Sequence, residues 1–212
     1  MCNILKVRWT INPRTAPQPW IACSGCGCLK PFKSSGKIRL NANGKKLDAW
    51  LVYRCTDCDK TWNRTLFERQ TIRDLNPLVL EAMQGNDREW IRAREFDLDA
   101  VRRKAQRIDE FADADVQKEV LDEPESWTML EIDLVATLPI SARLDRLLAS
   151  EFGISRSRLQ ALHEGAKLKI HPDRADAIRR RVKDGSRIVV DLSNETDRHF
   201  IWKAATSGTE AG

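Results

Sequence analysis

The 212-residue sequence contains no long apolar run; stretches such as Leu78–Leu80 and Ile188–Val190 are far too short to cross a bilayer. Its first residues show no basic-then-apolar signal pattern, so the expected location is the cytoplasm and no membrane partner is expected. It has no phosphate-cradling glycine loop, no Gly-x-Ser-x-Gly nucleophile elbow and no His-Glu-x-x-His helix. Those absences remove the common seats of phosphoryl transfer, acyl transfer and zinc hydrolysis. A non-enzymatic role with no small-molecule substrate is therefore the expectation. Histidine is scarce, and His163 and His171 have no partner at a spacing that would make a site, so they read as helix-end and loop residues.

What is present is ordinary for a globular protein: 42% hydrophobic and 32% charged residues, at a length that suits one large domain or two small ones. The net charge of +5 fits an anionic partner without requiring one. Its distribution is uneven. Residues 1–96 carry 17 basic and 9 acidic side chains, 109–125 carry 8 acidic and one basic, and 127–203 carry 14 basic and 11 acidic. An acidic segment thus separates two basic ones.

Six cysteines in a chain expected in a reducing compartment point to metal ligands or thiols rather than disulfides. Four of them form two Cys-x2-Cys turns, Cys23–Cys26 and Cys55–Cys58, with 28 residues between. Two such turns place four thiolates for a closed tetrahedral shell, so a structural zinc ion is the expected cofactor. The residue after each turn favours positive φ, which Gly27 adopts freely and Asp59 tolerates. Cys28 could stand in for Cys23 or Cys26, whereas Cys2 reads as an incidental thiol. A ribbon this small holds too little core to stand alone, so ligation energy becomes folding energy.

Around the cysteines, residues 20–69 read as β-rich. Ile38 and Leu40 alternate with polar neighbours, Asn43-Gly44 is a hairpin turn, and Leu47–Arg54 is rich in strand formers. Thr61–Thr65 supplies a third strand, and Trp50 and Trp62 are expected to fill the thin core. The polar group Asn41, Asn43, Lys45, Lys46 and Asp48 makes the hairpin tip. Asn76-Pro77 starts a helix that Gly85 stops, a second helix starts near Asn86 with Trp90, Ile91 and Ala93 buried, and Leu98, Val101, Ala105, Ile108 and Ala112 predict an amphipathic helix from Asp97 to about Val120. Asp122–Ser126 reads as the break between domains. Beyond it, the pattern predicts a strand over Thr128–Leu134, helices over Ala142–Phe152 and Ser155–Glu164, strands over Lys167–Ile170 and Arg187–Leu192, and a frayed tail from Thr206.

Two resemblances follow. Ala142–Leu148, Ile154–Arg158, Leu162, Gly165, Lys167 and Val182–Ile188 resemble the RNA-binding domain named after ribosomal protein S-four over about 50 residues. That resemblance implies Arg143, Arg146, Arg156, Arg158, Lys167 and Lys169 as phosphate contacts, and residues 141–170 hold six basic and three acidic side chains. A departure follows Ile170, where His171-Pro172-Asp173 leads into an arginine-rich, helical-looking stretch, Ala175–Val182, whose Arg179–Arg181 and Lys183 read as a solvated face or a nucleic-acid patch. The chain also resembles the uncharacterised bacterial family called domain of unknown function 1062, in its cysteine pairs, Ser35–Asn43, Leu47–Leu51 and the Leu144-Asp145 segment.

The expected fold class is therefore α+β: an N-terminal zinc ribbon (1–70), a helical extension and acidic linker (71–122), an S-four-like α+β module (127–203) and a tail (204–212). The expected function is non-enzymatic binding of RNA or ribonucleoprotein. A protein-interaction or regulatory adaptor, and a DNA-binding transcription regulator, are the alternatives.

Overall fold

A computed structural model of the chain describes residues 3–174 and 176–207. Cys2, Ala175 and residues 208–212 of the tail lie outside the described residues. In chain order the strands and helices are β1 (Ile4–Pro13), β2 (Gln18–Cys23), β3 (Cys28–Asn43), β4 (Lys46–Cys55), β5 (Thr61–Thr71), α1 (Pro77–Gly85), α2 (Arg88–Glu95), α3 (Leu98–Arg102), β6 (Arg107–Asp109) and β7 (Ala114–Asp122). They continue with β8 (Met129–Val135), α4 (Leu144–Phe152), α5 (Arg156–Glu164), β9 (Leu168–His171), β10 (Arg187–Asp191) and α6 (Arg198–Thr206). The fold is mixed α+β with two five-stranded sheets.

The chain divides at two places that differ from the expected break. One unit is Ala16–Glu110, and the other joins Met1–Thr15 to Phe111–Gly212. The reason is β1. Leu5, Val7, Trp9 and Ile11 alternate as its buried face, and the strand lies inside the sheet ordered β7-β1-β8-β10-β9. It pairs antiparallel with β7 and parallel with β8. The stretch expected as a helix to Val120 and an acidic linker is helical only through Arg102 and then supplies β6 and β7. The apolar residues spaced by three or four end at Ala112, before β7, and there pairing with β1 decides: Arg14 meets Asp115 at 2.6 Å and Arg8 meets Glu119 at 3.1 Å, so the acidic residues of this edge strand face basic residues of β1.

On that sheet the core gathers around Trp9, fully buried, edge-on to Phe152 at 5.5 Å and donating its Nε1–H to the Ala205 carbonyl at 3.0 Å. Lys118 of β7 sits over the same indole, and its ammonium bonds the Ala204 carbonyl at 2.8 Å and Glu151 at 2.6 Å. Strand β1 is thereby tied to the end of α6 and, through Phe152, to α4. Leu147, Leu148, Leu159, Leu162 and Ile201 close the helical side. Between β9 and β10 the chain forms a short 3-10 turn, Ala177–Arg179, rather than the expected helix, because Arg181 leaves it to bridge Arg143.

In the Ala16–Glu110 unit the antiparallel order is β5-β4-β3-β2-β6. Asn43-Gly44 makes the β3–β4 hairpin, with Gly44 at φ 59°. Strand β4 buries Leu47, Ala49, Leu51, Tyr53 and Cys55 in strict alternation. Trp50, expected in the core, therefore points to the opposite face, half-buried, whereas Trp62 packs on Phe32 and Tyr53 at ring separations of 6.5 and 5.2 Å. Asn76 caps α1 through Leu78 N–H, Asn86 ends it at φ 51°, and Asp87 caps α2 through Trp90 N–H. Met83 and Ile91 carry the buried sides of these helices, while Ala93, expected inside, is exposed.

Replacing Trp9 by Ala removes the largest buried side chain of its sheet and one buried hydrogen bond. The variant should unfold with a stability loss of about 3–5 kcal/mol in a denaturant titration; a loss below about 1 kcal/mol would show that the core does not centre on β1.

Candidate metal centre

Two turns at one end of the second sheet build the site. Cys23 ends β2 and Cys55 ends β4, with the start of β3 between these strands in the sheet. After Cys23 the chain turns so that Gly27 N–H meets the Cys23 carbonyl at 2.8 Å, and after Cys55 the Asp59 N–H meets the Cys55 carbonyl at 3.1 Å. Gly27 and Asp59 take positive φ, 69° and 57°, as turns of this kind require. The second turn is tied to β3 by Thr56 N–H to the Pro31 carbonyl at 3.1 Å and by Lys30 to Asp57 at 2.5 Å.

The four sulfurs of Cys23, Cys26, Cys55 and Cys58 all lie within 4.8 Å of one another. Cys23 and Cys58 are 3.4 Å apart and Cys26 and Cys55 are 3.9 Å apart, too far for disulfides and close to the roughly 3.8 Å edge of a tetrahedron with metal–sulfur bonds of about 2.3 Å. Four sulfur donors fill such a shell and leave no position for a substrate. Phe32, Leu51, Tyr53 and Ile91 form one core cluster with Cys23 and Cys55, with Cys26 packed against it. Gly25 has its place because a Cβ there would lie 3.0 Å from the Cys58 sulfur.

Burial opposes ionisation of Cys23, but N–H donors from Cys26 and Gly25 and hydrogen bonds from Cys58 and Cys55 outweigh it and lower this thiol to about 7. Cys26 is pushed up, first by its hydrogen bond with Cys58 and then by burial. A bound metal ion would deprotonate all four. Cys28 opens β3 with its side chain exposed and outside the cluster, so it replaces neither Cys23 nor Cys26.

The six basic residues expected to contact phosphate divide evenly. Arg143 is clamped in bidentate fashion by Asp145, at 3.0 and 2.7 Å. Arg158 and Lys167 converge on Glu195, whose side chain is 3% exposed, and Arg158 also reaches Asp197 at 3.5 Å. Arg146, Arg156 and Lys169 are exposed. Ser155 caps α5 by accepting from Arg158 N–H at 3.1 Å. His163 bonds the Leu168 carbonyl at 3.0 Å and ends a helix, and His171 is an exposed strand-end residue. Trp20 stacks with Arg107 at 4.7 Å and donates to Asp109 at 2.7 Å, while Trp202 packs partly buried against the first sheet's core. At the hairpin tip Asp48 accepts from Arg69 N–H at 2.6 Å and Lys46 bonds Thr71 at 3.0 Å, so this polar group holds the turn region to β5.

A basic groove formed by the β9–β10 connection adds to the expected set. It is a recess of about 70 Å³ whose apolar floor includes Leu144, Ile170 and Ala177, and its rim carries Arg174, Arg180, Arg181 and Lys183, all exposed. The arginine run was visible in the sequence. Its gathering around an apolar recess depends on the 3-10 turn and the Arg143–Arg181 bridge.

Elemental analysis of the purified protein should find about one metal ion per chain. Cys58→Ser should lose it, Cys28→Ser should keep it, and Gly25→Val should bind it more weakly. Because ligation expels thiol protons, binding should weaken as the pH falls; Cys28→Ser losing the ion would point to a different ligand set.

Glu195 is held below the usual carboxylate range, first by Lys167, with burial opposing and Arg158 assisting. A depressed folded-state value gives stability that is present above the unfolded pKa and lost as pH falls through the folded one. Glu195→Gln should cost about 1–3 kcal/mol at pH 7, and the gap from the parent should close below about pH 4 in melts across that range; a gap unchanged at low pH would remove the ionic explanation.

Among the described residues, no helix is long and apolar enough to cross a membrane. No curated protein and no solved structure matches the chain. Residues 40–174 match the family model described as protein of unknown function (DUF1062), a span that takes in the second cysteine turn, the three helices after β5 and both helices before β9. Covering well over half of the sequence, that match shows that the chain belongs to the DUF1062 family.

Proposed function

We propose that this protein is a non-enzymatic RNA- or ribonucleoprotein-binding protein of the cytoplasm, whose four-cysteine shell holds a structural zinc ion. Soft thiolates in a closed tetrahedral set favour zinc, and a complete sulfur shell suits a structural rather than a catalytic ion. A reducing compartment keeps such thiols available.

The observation that carries the RNA reading is the basic groove. Arg174, Arg180, Arg181 and Lys183 surround an apolar recess in the segment from α4 to β10, the same segment that carries the S-four resemblance. Phosphate oxygens need cationic or N–H donors, and an apolar floor offers a surface for an unstacked base or a ribose. Exposed Arg146 and Arg156 extend the basic character along α4 and α5. In this reading Arg143, Arg158 and Lys167 hold the module together and the groove residues hold the nucleic acid.

Fluorescence anisotropy with a structured RNA hairpin across a salt series tests this. The double variant Arg174→Gln/Lys183→Gln should weaken binding about 10- to 100-fold at low salt and reduce the salt slope by about two. Arg158→Gln should act on stability first. Affinity no greater than that of a neutral control protein would overturn the reading, and tighter binding to duplex DNA would replace it with the DNA alternative.

A further inference from the structure

Strand β5 turns Trp62, Arg64 and Leu66 toward the packed side of its sheet, so the middle inward position is an arginine. Arg64 is 3% exposed. Its Nη2 donates to the Arg94 carbonyl at 2.6 Å, while Nε and Nη1 are buried without a hydrogen-bond partner. Among the described residues no carboxylate forms an ion pair with it. The guanidinium lies 5.7 Å from the centroid of the Tyr53 ring, whose hydroxyl is likewise buried and unpartnered. Burial, against the field of Arg64, pushes the Tyr53 phenol up to about 12, so it stays neutral and does not supply the missing negative charge. Glu95 and Asp97 also act on this phenol, but neither forms an ion pair with Arg64, and Asp97 has one carboxylate oxygen on Ala100 N–H at 3.0 Å, capping α3.

Beside this cation is a cavity of about 420 Å³, within the size range of small-ligand sites. Arg64, Arg94 and Arg103 line it, opposed by Asp97 alone, and Leu66, Phe67 and Trp90 supply its apolar wall. Arg94 stacks on Trp90 at 4.7 Å, which leaves its guanidinium edge for an anion. Three arginines and one aspartate leave a surplus of two positive charges, the charge of a phosphomonoester near neutrality. A buried, uncompensated arginine is costly unless something pairs with it.

We infer that the cavity lined by Arg64, Arg94 and Arg103 binds a small phosphomonoester, with its phosphate on the arginines and a planar or apolar body against Trp90 and Phe67. The site lies wholly within the Ala16–Glu110 unit and shares no residue with the basic groove or with the cysteine shell.

Calorimetry of the metal-loaded full chain at fixed ionic strength, with phenyl phosphate, inorganic phosphate and benzoate as probes, tests the inference. Phenyl phosphate should bind saturably at one site, about tenfold or more tighter than inorganic phosphate, which lacks the apolar body, or benzoate, which brings one negative charge and two acceptor oxygens where the phosphate brings nearly two charges and three. Arg64→Met should abolish that binding while melting no lower than the parent without ligand, because it replaces an unpaired buried charge by an apolar side chain of similar length. Should Arg64→Met fail to fold, Arg103→Gln, at an exposed position, should fold and weaken phenyl phosphate about five- to tenfold. The Arg174→Gln/Lys183→Gln variant should bind phenyl phosphate as the parent does, which separates this site from the RNA reading. Absence of a saturable heat with phenyl phosphate, benzoate binding as tightly, or unchanged affinity in Arg103→Gln would overturn it.

Discussion

Four sulfurs held within 4.8 Å of one another repel as thiolates, so protons or a metal ion must keep them together. This requirement shapes the end of the Ala16–Glu110 unit. Strands β2 and β4 reach the cluster from either side of β3, and each must end in a turn with a positive-φ residue for its second sulfur to swing back. The Thr56–Pro31 hydrogen bond and the Lys30–Asp57 pair lock one turn to the start of β3. Behind them Phe32 and Tyr53 pack edge-on and tilted against Trp62 as a small aromatic core, and Ile91 brings α2 onto it. Ligation at one end and helix packing along the sheet thus reinforce each other, as expected where the core alone is small.

That part of the molecule was legible because its determinants are local: Cys-x2-Cys spacing, Asn43-Gly44 and Asn76-Pro77 each specify a turn or cap within a few residues. The other unit was legible only beyond Thr128. Strand β1 announces itself by the alternation of Leu5, Val7, Trp9 and Ile11, yet no sequence rule says that a strand at the start of the chain pairs with residues 129–135. Its antiparallel partner β7 lies just beyond a run of apolar residues at helical spacing that ends at Ala112, and its own polar, acidic residues show no alternation to set it apart from that run. Long-range pairing resolved the ambiguity, and with it moved the domain boundary from the acidic stretch to positions 15 and 110.

The charged residues carry the same lesson. Basic side chains look interchangeable in sequence, but Arg158 and Lys167 meet Glu195 across 37 and 28 residues, and the acid that neutralises them is not visible in the local pattern. The β9–β10 connection, whose arginine run predicts a helix bearing either a solvated face or a nucleic-acid patch, instead carries exposed basic residues on and around a 3-10 turn. Tertiary contact therefore sorted one class of residue into two jobs, joining elements and facing outward.

Arg64 stands apart from both. Lys118, Glu195 and Asp145 are also withdrawn from water, and each reaches a charge of opposite sign, so the cost of their desolvation is offset within the chain. Arg64 reaches one carbonyl oxygen and an aromatic face. A strand position between Trp62 and Leu66 would accept an apolar residue without disturbing the alternation that builds the sheet, so packing supplies no reason for a guanidinium there. Of the carboxylates nearby, Glu95 and Asp97, neither forms an ion pair with it, Asp97 is committed to a helix cap, and the neighbouring phenol stays protonated. What remains to compensate the charge is something that enters the adjoining cavity from outside the chain, and two further arginines on its wall fix the sign of that visitor.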